Sequence, residues 1–310
     1  MRLSQTQIES YEKDGFLLLE DCFSQAEIEL LLEGVSREFE IDSPRRIMER
    51  SGAVRSVFAS YIHSDLFDAL SRLRRLVEPA MQLLRSEVYT HQFKINAKAA
   101  LEGDQWEWHQ DFLYWHKEDG MREPRVLTAT IFLQDANEFN GPMLLIPGSH
   151  KLGMIDLCAQ AAPAGAGDGF HDSGRQSPTW ISTLTADLKY KIDKGILLRL
   201  LKNNNIYAAK GRAGFVLFFH GNLFHASTNN LSASDRVSIF VSYNSTENKL
   251  PPIASPRPTF IASRDFTPIV PVNDDTLYAV KQADLIWREK PEAPDTDAAE
   301  VIKKRGGDNE

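Results

Sequence analysis

The sequence predicts a mainly β chain with helices in front, arranged as a double-stranded β-helix, the jelly roll of cupin-like proteins. Two observations carry this. Apolar residues at helical spacing fall in the first 86 residues, and from Glu87 onward the pattern changes to six or more short strands separated by turns. A third agrees with it. His109-Gln110-Asp111 and the distant His225 have the composition of a metal face, and such folds hold metals inside the barrel mouth, where strands from both sheets converge.

At 310 residues the chain can bury one large core. The expected organisation is one domain over residues 1–288: a helical N-terminal segment over 1–86, a β core over 87–270 and a lid-like insertion over 153–195. A charged, proline-bearing tail, 289–310, is expected to be poorly ordered. Apolar content of 42% and charged content of 25% are ordinary for a globular protein. A net charge of −8 argues against nucleic-acid binding. Cys22 and Cys158 are too few for a disulfide scaffold or a thiolate site. With no signal-peptide pattern and no membrane-length apolar run, the expected setting is a reducing cytoplasm.

In chain order, Ser4 with Gln7 reads as a capping box opening a helix that ends near Asp14-Gly15. Phe16 to Leu19 reads as a short buried strand. Ser24 with Glu27 starts a second helix, whose Ile28, Leu31, Leu32, Val35 and Phe39 form one apolar face. Arg45 to Phe58 has no clear period and is compatible with a hairpin, and Ser64 to Arg85 reads as two helices. In Val88 to Asn96, polar Gln92, Lys94 and Asn96 alternate with Phe93 and Ile95, so the polar face is either solvated or lines the barrel cavity. The metal motif nearby favours the cavity. Lys117 to Gly120 reads as a charged turn, Val126 to Leu133 and Met143 to Ile146 as strands, and Asn140-Gly141-Pro142 as a turn. Residues 153 to about 195 contain a small-residue run typical of a lid or a disordered loop. Phe215 to Phe219 and Arg236 to Tyr243 complete the strands.

Two imidazoles and one carboxylate suit a non-haem Fe(II) held by one face, with open positions for substrates and oxygen. On a strand, period two would aim His109 and Asp111 to the same side. Trp106, Trp108, Phe112, Tyr114 and Trp115 crowd the motif. His220, before a Gly-Asn turn, competes with His225 as third ligand, while His91 and His150 read as structural. Arg236 opens a strand with apolar neighbours, where an arginine needs an anion; the alternative is a surface pair with Asp235.

Taken together, Trp108-His109-Gln110-Asp111-Phe112, Trp115, Glu118-Asp119-Gly120-Met121, Asn140-Gly141-Pro142, Pro147-Gly148-Ser149-His150, and His225-Ala226-Ser227 with Arg236 resemble the phytanoyl-CoA dioxygenase (PhyH) superfamily of Fe(II)/2-oxoglutarate dioxygenases. Within it the chain is similar to ectoine hydroxylases. His91 to Asn96, Pro256-Arg257-Pro258 and Arg264-Asp265 look closer still to bacterial free L-leucine hydroxylases. The insertion after Gly153 departs from the ectoine hydroxylases. The resemblance implies that His109, Asp111 and His225 bind Fe(II), with O2 and 2-oxoglutarate as cosubstrates. It implies that Arg236 clamps the distal carboxylate of 2-oxoglutarate, a role suited to a planar bidentate donor. Ser227, Thr128 and Thr130 would add hydroxyl contacts, with Gln92 and Asn96 across the barrel. The substrate would meet Arg257, Trp115, Phe240 and Lys94, Arg257 taking its carboxylate. Halogenating relatives lack the carboxylate ligand, so Asp111 implies hydroxylation.

Three readings from different classes remain open at this point. One is a hydroxylase of a free L-amino acid or similar small metabolite. Another is a relative acting on a carrier-, CoA- or peptide-bound substrate, and the last is a metal-bearing cupin that only binds a ligand. Nucleic-acid and membrane partners are not expected, and the oligomeric state is left open.

Overall fold

Capping boxes open the first two long helices. In α1 (Gln5–Asp14) the Ser4 hydroxyl accepts from the Gln7 amide at 3.2 Å, and the Gln7 side chain accepts from the Ser4 amide at 2.8 Å. Ser24 and Glu27 repeat the arrangement at α2 (Gln25–Glu40). Each box satisfies two amide donors that the first helical turn would leave bare. In this computed structural model the described residues are 1–155, 188–190, 192 and 194–282. Most of the expected insertion 153–195 and the tail 289–310 lie outside them.

Between α1 and α2 runs β1 (Phe16–Leu19). The uncertain stretch after α2 is a hairpin, β2 (Arg46–Met48) and β3 (Val54–Phe58). Three helices follow: α3 (Ser60–His63), α4 (Asp65–Arg72) and α5 (Arg74–Leu84). The β region then contributes β4 (Val88–Lys98), β5 (Trp106–His109), β6 (Val126–Phe132), β7 (Met143–Leu145), β8 (Tyr207–Ala209), β9 (Val216–His220), β10 (His225–Ser227) and β11 (Arg236–Ser245). Helices α6 (Asp111–Asp119) and α7 (Lys194–Asn203) interrupt it, and α8 (Thr276–Gln282) follows.

The strands form two antiparallel sheets, β1-β9-β6-β11-β4-β3-β2 and β5-β10-β7-β8. Register explains how one sheet serves both core and site. Gln92, Asn96 and Lys98 of β4 stand opposite Ser242, Ser238 and Arg236 of β11, with Lys94 opposite Phe240. Thr128, Thr130 and Phe132 of β6 continue that face. The alternate residues, among them Phe93, Ile95, Ile239, Val241, Ala129 and Ile131, point the other way and pack with Leu66, Leu70, Leu76 and Val77 of the helices. The polar face of β4 therefore lies inside the protein: Gln92, Asn96 and Lys98 are buried. Phe132, Leu217, Phe219 and Phe240 meet Met143, Leu145 and Ala209 of the small sheet in a second apolar cluster. Phe16 and Leu18 are only half-buried, because β1 is the edge of the large sheet.

Two local expectations change, and one helix appears where the sequence reading placed no element. Asp111 is not on the strand with His109 but is the first residue of α6. Lys117 to Asp119 form no free turn; they are the last turn of α6, closed by Gly120 at φ 78. The unanticipated helix is α7, which begins at the end of the expected insertion 153–195 and whose Ile196, Leu197, Leu200 and Leu201 pack with Ile146 and Phe224.

Gly214 marks the entry to β9. Its φ is +95, and a Cβ there would lie 2.4 Å from the Phe23 carbonyl oxygen. Its amide donates to the Phe132 carbonyl at 2.8 Å and its own carbonyl accepts from Phe23 at 3.1 Å, so the backbone cannot shift without losing both bonds. Gly214→Ala is expected to lower unfolding free energy by about 1–3 kcal/mol in urea denaturation. An unchanged midpoint and slope would contradict this account of the junction.

Candidate active site

Local chain geometry explains how Asp111 keeps its aim after leaving the strand. Gln110 is still extended, with φ −117 and ψ 127, so alternation carries the Asp111 side chain back to the side of His109 before the helix begins. The helix amide dipoles then favour its negative charge. Across the small sheet, His225 of β10 stands directly opposite His109 of β5. Asp111 Oδ1 lies 3.4 Å from His109 Nε2 and 3.8 Å from His225 Nε2.

These three side chains, with one ligand atom from each within 4.8 Å of the others, are the only such His/Cys/Asp/Glu group among the described residues. Each imidazole faces a backbone carbonyl through Nδ1, His109 with Glu107 at 2.6 Å and His225 with Leu223 at 3.0 Å. Nδ1 is then the protonated nitrogen, and Nε2 presents its lone pair to the shared space. Burial, reinforced by His109, draws the His225 pKa down to about 4, so it is a neutral ligand at physiological pH. Two imidazoles and a carboxylate on one buried face fit an Fe(II) ion.

His220 is placed elsewhere. Its Nδ1 accepts from the Asn222 amide at 3.0 Å, and its ring faces His150 at 5.3 Å. Sequence reasoning overlooked Gln110. Its buried amide donates to the carbonyls of Gly153 and Asn222 at 2.8 and 2.7 Å and accepts from Ile155 at 3.0 Å. It thereby ties the His109–Asp111 segment to the loop before His225. The only signal was its position between the ligands.

The inner face of the large sheet gathers the remaining candidates. Arg236 is buried, with one hydrogen bond to Ser238 Oγ at 3.1 Å and a contact with the Phe132 ring. Its Nε has no partner, and burial alone lowers its pKa to about 10. Asp235 is not its counter-ion in a salt bridge; that carboxylate accepts from the Ala100 amide instead. Thr130 Oγ1 and Ser227 Oγ are buried without partners. Thr128 is bonded to Ser242 at 2.9 Å, Gln92 donates to the Ile261 carbonyl at 2.8 Å, and Asn96 accepts from Ser56 at 2.7 Å. Lys94 Nζ lies between the rings of Phe240 and Trp106, at 4.9 and 5.3 Å from their centroids, and feels both Asp111 and Arg257.

Arg257 is buried and bound in a two-pronged pair to Asp119, with Nε–Oδ1 2.8 Å and NH2–Oδ2 2.6 Å. His91 lies 3.7 Å from the same carboxylate, its ring edge-on to Trp115 at 5.2 Å. Trp115 itself packs in a side cluster with Phe112, Met121, Val126, Leu250 and Ala262. The sequence offered Asp119 as one residue of a charged stretch and of the Glu118-Asp119-Gly120-Met121 motif, with no role of its own.

Among the described residues no helix is long and apolar enough to cross a membrane. Residues 11–238 match the phytanoyl-CoA dioxygenase (PhyH) family model. An L-proline trans-4-hydroxylase of Streptomyces griseoviridis is 38% identical over 272 residues, covering 86% of this chain and 95% of the relative. An ectoine dioxygenase of Bordetella bronchiseptica is 38% identical over 290 residues, covering 90% of this chain and 88% of the relative. The crystal structure of EctD from S. alaskensis with 2-oxoglutarate and 5-hydroxyectoine superimposes with a TM-score of 0.72 at 27% identity, covering 87% of this chain and 88% of that one. The same enzyme with bound Fe superimposes at 0.71, with 28% identity and the same coverage. With a paired-histidine and carboxylate face that suits iron, and a family match spanning most of its length, the chain belongs to the phytanoyl-CoA dioxygenase family.

Proposed function

We propose that the protein hydroxylates an unactivated C–H of a free L-amino acid or amino-acid-like small metabolite, using Fe(II), O2 and 2-oxoglutarate and releasing succinate and CO2. The observation that carries this reading is a buried metal face in the same interior as Arg236, a buried guanidinium with no carboxylate partner among the described residues. Burying an unpaired charge costs several kcal/mol, so such a residue is best explained by an anionic ligand. The similarity to enzymes named for proline and ectoine supports a small, charged substrate.

In this reading His109, Asp111 and His225 hold the iron, which with 2-oxoglutarate and O2 supplies the oxidising power for C–H hydroxylation. Arg236 takes the distal carboxylate of 2-oxoglutarate through its planar fork. Thr130 and Ser227 have the unbonded hydroxyls suited to the cosubstrate, while the Thr128 hydroxyl and the Gln92 and Asn96 amides are already fixed by protein partners and line the same face. Phe240 and Lys94 wall the substrate space, and Trp115 backs it through His91. Arg257 reads the substrate carboxylate. The apolar cluster of Phe132, Phe219 and Leu217 keeps water from this end of the cavity.

Tests follow from each assignment. Fe(II) binding, measured by equilibrium dialysis, is expected to be lost in His225→Ala and retained in His220→Ala; the reverse would overturn the third ligand. Arg236→Lys keeps the charge but loses the fork, and the KM for 2-oxoglutarate is expected to rise in line with a loss of about 1–3 kcal/mol. An unchanged KM would remove Arg236 from the cosubstrate site. The substrate class is tested by substrate-dependent succinate release over the proteinogenic L-amino acids, ectoine and their carboxamides where these exist. Free acids are expected to be turned over and amides poorly; equal rates would return weight to carrier-bound substrates. Arg257→Ala is expected to raise the amino-acid KM strongly, with the 2-oxoglutarate KM nearly unchanged.

A further inference from the structure

Helix α6 begins with a metal ligand, Asp111, and ends with Asp119, nine residues in all. At 1.5 Å per residue its ends stand about 12 Å apart along the axis. Asp119 is fully buried and grips both Nε and NH2 of Arg257. Arg264 closes in on the same end of the helix, donating to the Pro251 carbonyl at 3.0 Å and reaching the Asp119 carbonyl at 3.5 Å. Gly120 then turns the chain sharply: at φ +78, a Cβ there would meet Ile253 at 2.9 Å and Pro251 at 3.2 Å. The loop carrying Arg257 is thus seated directly on the end of α6.

Fold stability alone is a weak reason for this pair. A buried ion pair loses much of its attraction to desolvation, and an apolar pair of similar volume would hold the helix to the loop about as well. What the pair provides is direction. A two-pronged carboxylate contact fixes the plane of a guanidinium, which a single bond or an apolar contact would leave free to turn. His91 does not compete for Asp119, since burial draws its pKa down to about 4 and leaves it neutral. Lys94 feels both Arg257 and Asp111, which puts it in the electrostatic reach of both ends of the helix.

We infer that Asp119 is a positioning residue that fixes Arg257, and through it the substrate carboxylate, to the same helix that carries the metal ligand Asp111, so that α6 sets which substrate carbon is oxidised. This rests on the reading of Arg257 as the substrate-carboxylate ligand. The helix acts as a rigid spacer between the charged end of the substrate and the metal, and side-chain length at position 119 tunes the separation.

The test uses the full-length enzyme and the amino acid with the highest substrate-dependent succinate release in the panel of proteinogenic L-amino acids and ectoine. Asp119→Asn is expected to raise the amino-acid KM about tenfold, with the 2-oxoglutarate KM changed less than about twofold, and to increase succinate released per hydroxylated product. Asp119→Glu, which keeps the charge and moves Arg257 by one methylene, is expected to change the ratio of hydroxylated positions read by NMR. Arg257→Lys combined with Asp119→Asn is expected to cost little more than either alone, because the two residues act as one unit. A lower melting temperature with unchanged KM and product ratio would make Asp119 structural only and overturn the proposal. So would fully additive effects, or loss of folding in both Asp119 variants. If Arg257→Lys raises the amino-acid KM while Asp119→Asn does not, this inference alone fails. If Arg257→Lys leaves that KM unchanged, or no member of the panel releases succinate, the underlying reading fails with it.

Discussion

The pairing of β5 with β10 is the constraint on which the site depends. It sets His225 directly opposite His109, and on its other edge β10 pairs with β7, so that the ligand strand is held from both sides. Gln110 then anchors the backbone between the two ligands on the β5 side to the Asn222 carbonyl of the loop that leads into β10. The third ligand needs no further strand, since one extended residue after His109 returns the Asp111 side chain to the same face. Metal geometry is thereby converted into sheet register, which a one-residue slip would destroy.

The large sheet solves a different problem: it carries cations into the interior on the face opposite the apolar core. Arg55 is stabilised there by Glu49 at 2.8 Å, the Gln105 carbonyl at 3.1 Å and the Trp106 ring 3.8 Å away. Lys98, opposite Arg236 in the register, donates to the Asp104 carbonyl, and burial with the nearby arginines lowers its pKa to about 6. These contacts pin Asp104 and Gln105, the residues immediately before β5, so the cation network also steadies the strand that ends in His109. Arg236 stands apart because no carboxylate among the described residues pairs with it and its buried Nε has no hydrogen-bond partner. Under the proposed role of Arg236, binding of 2-oxoglutarate would offset the cost of that arrangement, so that cosubstrate affinity and local stability would be two views of one interaction.

Much of this was legible from residues alone. The alternation through Gln92, Lys94 and Asn96 left two faces open, and burial of Gln92 and Asn96 decides for the interior. The capping boxes at Ser4 and Ser24 appear as read. The helix at Asp111 was not legible because it lacks a side-chain N-cap and is filled with Phe112, Tyr114 and Trp115, residues that favour strands by propensity. Helix α7 did show the spacing Ile196, Leu197, Leu200, Leu201, but in the sequence it follows a long run without hydrophobic periodicity, rich in Ala and Gly, that hides its start. The Asp119–Arg257 pair was out of reach for a more basic reason. Single-sequence patterns report local periodicity, whereas this contact joins a helix end to a distant loop and exists only once the fold is formed.

The central claim is that this interior couples 2-oxoglutarate and O2 to oxidation of a small substrate. Mass spectrometry of products formed under ¹⁸O₂ tests it most directly. The account predicts one labelled oxygen in succinate and the other in the new hydroxyl of the amino acid. Hydroxylated product carrying no label, or product formed without labelled succinate, would contradict it.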